Sequence, residues 1–132
     1  MQEELVMRRS WMLLKYAYGA VLVLIGLDKA LGLNLVANWE GYVSDLALST
    51  LPIEAGVLVL GLGVIEIAVG VLMLTKWTRL AAVLAIAALA LIVINLLSMG
   101  LYDIAARDVL LALGLLVLVW LTDAMPEERK WL

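Results

Sequence analysis

The sequence predicts an all-α integral membrane protein: a single four-helix domain over residues 1–132, running up-down-up-down, with a short amphipathic helix in its first outer loop. Three observations predict it. The residues are 66% hydrophobic and 16% charged, with a mean hydropathy of +1.10, whereas soluble domains are about half apolar and about a quarter charged. Four apolar stretches, 11–31, 53–74, 80–98 and 104–121, approach or reach the length of about 20 residues that crosses a bilayer. None carries the continuous polar face that a helix packed on a soluble core requires.

The first span follows MQEELVMRRS, with no small-residue cleavage site after it, so it is expected to stay attached to the chain. The largest loop comes next and contains NWEGYVSDLALSTL. Trp39, Tyr42, Val43 and Leu46 recur there at helical spacing with Glu40 and Asp45 between them, which predicts an interfacial helix near 38–48. Pro52 suits the first turn of the second span, and Glu54 suits the positive end of its dipole. The turns TKWTR and MGLYD are short, so the second and third spans, and the third and fourth, are expected to pack as hairpins. Pro126 ends the extension of the fourth span.

Basic residues orient the spans. Arg8, Arg9, Lys15, Lys76, Arg79, Arg129 and Lys130 fall on one side and Lys29 and Arg107 on the other, a seven-to-two bias. By the positive-inside rule both termini are cytoplasmic, with Trp11, Trp77 and Trp120 in an aromatic belt on that face. The expected location is a cytoplasmic membrane, crossed several times.

Composition removes several chemistries. Without cysteine or histidine the chain forms no disulfide, thiolate site, histidine-ligated haem or common zinc site. No metal site is expected. The net charge of −3 and the lack of a basic patch point away from nucleic acid and leave the bilayer as the main partner. No nucleophile–base pair or nucleotide loop is evident, so an activity of the chain on its own is not predicted.

One residue breaks the apolar pattern. In VLGLGVIEIAVGVLML, residues 59–74, Glu66 is the single charge. Gly56, Gly63 and Gly70 share its face of the second span, and small residues let helices approach closely in lipid. The first span has a matching stripe, Lys15, Gly19, Leu22, Gly26 and Lys29; the third offers Ala81, Ala85, Ala88 and Asn95; and Gly114 follows Arg107 by seven on the fourth. A charge at a helix centre costs about 2.5–3.5 kcal/mol on insertion scales, so Glu66 is either a clasp between helices or a functional site. Its expected partners are Lys29 and, second, Asn95. Side chains lean toward the N-terminus of their own helix, so Glu66 leans outward and the other two lean inward. With Lys29 close, Glu66 is ionised; otherwise it is protonated and bonded to Asn95 or to a tyrosine such as Tyr18. Lys15 is expected to snorkel to the inner boundary. Asp28, Lys29, Asp103, Arg107 and Asp108 cluster near the outer ends, with an expected Asp28–Arg107 pair.

Three segments resemble the DoxX-like family of small four-helix membrane proteins, chiefly its uncharacterised bacterial members. GLDKALG at 26–32 resembles the Gly-x-x-Lys that ends the family's first helix, EIAVGVLML at 66–74 its Glu-x-x-x-Gly signature, and RDVLLALGLLVLVWL at 107–121 its last helix. The similarity covers roughly residues 11–122 and bears on Gly26, Lys29, Glu66 and Gly70, and loosely on Arg107 and Asp108. Some members are associated with membrane redox chemistry, among them the membrane subunit of thiosulfate:quinone oxidoreductase. The resemblance therefore implies an accessory subunit of a membrane redox or electron-transport assembly, within a larger membrane complex or a homo-oligomer. No cofactor is expected in the chain itself; a bound quinone or lipid is the ligand implied. Two alternatives stand beside this reading: a stand-alone quinone-linked oxidoreductase, and a small carrier or proton-conducting protein that uses Glu66.

Overall fold

A computed structural model describes residues 1–125 and 127. Pro126, Arg129 and Lys130, invoked above, lie outside the described residues. Among the described residues five α-helices form: α1 (Gln2–Leu31), α2 (Asp45–Thr50), α3 (Ala55–Leu74), α4 (Thr78–Ser98) and α5 (Tyr102–Ala124). A 3₁₀ turn at Trp39–Tyr42 precedes α2, and no strand occurs among the described residues. The helices α1, α3, α4 and α5 are each long and apolar enough to cross a membrane, and together they make a helical membrane bundle.

Local chemistry sets the boundaries. Helix α1 has Glu3 and Glu4 in its first turn and Lys29 in its last, each favourable to the helix dipole. It stops at Gly32, whose φ of 65° lets its N–H return to the Asp28 carbonyl at 2.9 Å. At 30 residues α1 is far longer than its apolar stretch; at about 1.5 Å per residue it measures about 45 Å, against a hydrocarbon core of about 30 Å. Asn38 and Ser44 cap the 3₁₀ turn and α2 by accepting from Gly41 N and Ala47 N. The segment 38–48 is thus two short pieces rather than one helix. Pro52 lies before α3 rather than inside its first turn, and Glu54 is its N-cap residue without a side-chain cap bond. Thr78 donates to the Met73 carbonyl at 3.0 Å, pinning the turn between α3 and α4.

The most intimate helix pair is α1 with α3. A Cβ on Gly26 would lie 2.6 Å from the Gly63 carbonyl oxygen, and one on Gly63 would lie 2.8 Å from that of Gly26. Further along, a Cβ on Gly70 would lie 2.9 Å from the Gly19 carbonyl oxygen. Gly19 opposes Gly70 and Gly26 opposes Gly63, so the two helices run in opposite directions with their backbones in contact. Gly56 is the exception on its stripe, because it faces the Glu40 side chain rather than α1.

The other extensive pair is α4 with α5, while α3–α4 and α1–α5 contacts join the pairs. The expected hairpin of the second and third spans is therefore the looser neighbour of α1–α3. Its short turn brings the helices near, but the glycines decide which surfaces interlock. Trp11, Val69, Met73, Ala81, Ala82, Ala85, Leu115, Leu118 and Val119 form the apolar core at the end of the bundle that carries the α3–α4 turn. Trp11 Nε1 donates to Thr122 Oγ1 at 2.9 Å there, joining α1 to α5. Lys15 is buried, with Nζ 4.6 Å from the Trp11 ring centre, one turn nearer the N-terminus of α1, where the aromatic face offers the ammonium a favourable quadrupole. Large apolar side chains such as Val64, Leu91, Ile94 and Leu110 cover the outside.

Close backbone contact makes a direct prediction. Gly26→Leu must displace α3 and should destabilise the bundle by about 1–3 kcal/mol, the usual range for overpacking. Gly61→Ala, where a Cβ meets nothing within 4 Å, should be neutral or slightly stabilising. Unfolding in mixed micelles measures both, and equal effects would contradict the α1–α3 contact.

Candidate functional site

The Lys29–Glu66 pair and its polar neighbours lie at the opposite end from the apolar core. Gly63 brings α1 so near that its own Cβ position abuts Lys29 Cβ at 2.8 Å. Glu66 follows Gly63 by one helical turn on the same face. Lys29 Nζ consequently donates to Glu66 Oε1 at 2.6 Å, with the two side chains 9% and 14% exposed. Backbone contact at the glycines thus allows an ion pair that longer helix separation would prevent. Glu66 Oε2 is different: it is buried and, among the described residues, accepts no hydrogen bond.

The loop from residue 33 to residue 54 forms a strap over this pair. Trp39 places its ring 4.5 Å from Lys29 Nζ, so the ammonium lies between a carboxylate and an aromatic face. Asp28 holds Trp39 there. One of its oxygens accepts from Leu35 N at 2.9 Å; the other accepts from Val36 N at 3.0 Å and from Trp39 Nε1 at 2.7 Å. Asp28 itself is 1% exposed. A carboxylate so deep is tolerated because three N–H donors and the adjacent Lys29 satisfy it. Left-handed backbone at Asn34 and Asn38 lets the strap fold back on α1.

Several expected contacts are not made. Asn95 does not reach Glu66. Its Oδ1 accepts from Ser44 N at 2.9 Å and its Nδ2 donates to the Tyr42 carbonyl at 2.7 Å. The strap has backbone groups to satisfy, and an amide supplies one donor and one acceptor at once. Asp28 does not pair with Arg107, since strap N–H groups already occupy both its oxygens. Arg107 is 67% exposed at its side chain and folds back on Asp108, with Nη2 3.2 Å from Oδ1. Asp108 is buried. Tyr18 donates to the Leu111 carbonyl at 2.9 Å and packs beside Gly114, joining α1 to α5 away from Glu66. Among the described residues no group of three acidic side chains is placed to hold a metal ion.

Trp39 is the residue that sequence reasoning missed at this site. The sequence places it in an interfacial helix, whereas its position over Lys29 follows from Asp28, eleven residues earlier. A buried acid just before a helix end, followed by a glycine cap and an aromatic donor, is the signal that points to it.

Comparison of the chain with known protein families, with curated proteins and with solved structures yields no match.

Two outcomes follow from this geometry. Removing one partner of a buried ion pair costs about 3–5 kcal/mol, whereas replacing both with apolar groups is often near neutral. Glu66→Leu should therefore destabilise strongly in detergent unfolding, and adding Lys29→Met should recover much of the loss. Additive single and double effects would mean the pair carries no coupling. Separately, Asp28→Ala should free the strap and speed proteolysis within residues 33–54 more than Asn95→Ala does, because bonds to an ionised acceptor are roughly twice as strong as neutral ones.

Proposed function

We propose that this chain is an up-down-up-down four-helix protein of the bacterial inner membrane, with both termini cytoplasmic, that serves as an accessory subunit of a membrane redox or electron-transport assembly. The seven-to-two division of basic residues supports the orientation. In that orientation the strap and α2 lie at the outer face, and the apolar core around Trp11 and Met73 lies toward the cytoplasmic side. The resemblance to DoxX-like proteins supports the role.

One observation carries the reading: the buried pair Lys29–Glu66, built from two of the residues on which that resemblance rests. An ion pair enclosed between helices and roofed by an aromatic ring is a place where a polar headgroup of a membrane-soluble molecule can be held. A quinone or a lipid is the class the resemblance implies. The apolar exterior gives the bundle lateral surface against which a larger membrane partner, or a second copy, packs.

Two measurements test the proposal. Cysteines placed at the exposed Ala37 and Lys76 should react with a membrane-impermeant reagent from opposite sides; labelling of both from one side would overturn the orientation. Isolation in mild detergent should recover a larger membrane partner in fixed stoichiometry. Turnover of a bound quinone by the isolated chain would replace the accessory role with that of an oxidoreductase. Proton flux through liposomes holding the chain alone, lost in Glu66→Gln, would replace it with that of a conductor.

A further inference from the structure

The Glu66 carboxylate is half used. Oε1 takes the Lys29 ammonium, while Oε2 is buried without a donor among the described residues. Buried polar atoms are nearly always hydrogen-bonded, and an ionised acceptor withdrawn from water is among the costliest to leave unmet. The surroundings define what would meet it.

The missing group is a donor, an O–H or N–H, because a carboxylate oxygen only accepts. It is neutral. Lys29 already balances Glu66, so an added cation would meet the ammonium. An added anion would meet the Glu66 carboxylate it would have to bond. The head is small, since the α1 and α3 backbones touch at Gly26 and Gly63, and Trp39 closes the space over Lys29. The rest of the molecule is apolar. Glu66 keeps 14% of its side chain exposed, and the next residue back, Ile65, is 53% exposed on the bundle exterior.

We propose that Glu66 Oε2 is the acceptor of a site for the hydroxyl head of a neutral lipophilic alcohol or phenol entering from the bilayer, with Lys29 fixing the carboxylate and Trp39 forming the roof. An acceptor-only head, such as an ether or a ketone, gains no bond at Oε2, so the site selects hydroxyl over its alkylated or oxidised counterpart. The inference rests on the bilayer placement above and not on the redox assembly. Failure to find a co-purified partner would therefore leave it standing.

The test uses the full chain in phosphatidylcholine nanodiscs, whose headgroups carry no O–H or N–H donor. Dodecanol and dodecyl methyl ether are titrated separately, with two readouts: the infrared band of the Glu66 carboxylate, identified by its loss in Glu66→Gln, and the thermal midpoint. Dodecanol should shift the band and raise the midpoint at a concentration about tenfold or more below that needed with the ether, as expected for one hydrogen bond to a charged acceptor. Glu66→Gln, which keeps the shape but not the charge, should lose most of that preference. Equal responses to alcohol and ether, no response to either, or an undiminished preference in Glu66→Gln would overturn the proposal. A lipid headgroup and a free alcohol are then separated by repeating the titration with monoolein, whose glycerol head presents hydroxyls on a larger frame; a response to dodecanol with none to monoolein assigns the site to the smaller head.

Discussion

The rest of the structure depends on the contact between the backbones of α1 and α3. Four glycines, two on each helix, let the chains approach until a single added Cβ would overlap a carbonyl oxygen. In lipid there is no hydrophobic gain from bringing two apolar helices together, so close packing has to supply the attraction. That contact also fixes the relative rotation of the helices. Once Gly26 opposes Gly63, Lys29 and Glu66 are carried to the same place, one turn beyond. The ion pair is thus a consequence of small residues rather than the force that gathers the helices.

The two ends of the bundle solve different problems. At the end with the α3–α4 turn, Met73, Ala81 and Leu118 are fully enclosed, and polar groups there pair with one another, as Trp11 does with Thr122 and Arg79 with Asp123. At the other end, Lys29, Asp28, Asn95 and Asp108 are brought inward and each is answered by a specific neighbour. Glu66 is answered on one oxygen only.

Much of this was legible in the sequence, for identifiable reasons. Four apolar stretches of spanning length gave four helices, since long uninterrupted hydropathy has few other solutions in a bilayer. The Lys29–Glu66 contact was legible because glycine spacing and the lean of helical side chains both act within a helix. Asn95 and Asp28 have their partners in the loop rather than on other helices, and all but the Trp39 indole are backbone groups. Such groups leave no mark in residue type, and only the folded path of residues 33–54 shows where they point. The helix ends shifted by several residues for a related reason: the polar first turns of α1 and the charged start of α5 are helical without being apolar.

The strap also has a mechanical part. It hangs from Asp28 on α1 by three hydrogen bonds and from Asn95 on α4 by two. Those helices belong to different halves of the bundle, since α1 interlocks with α3 and α4 with α5. The loop is therefore a tie-bar between the two pairs at the edge away from the apolar core. Spreading the pairs at the polar edge would stretch the tie before it parted the core, so any splaying of the bundle there is registered first at Trp39, directly above the ammonium of Lys29.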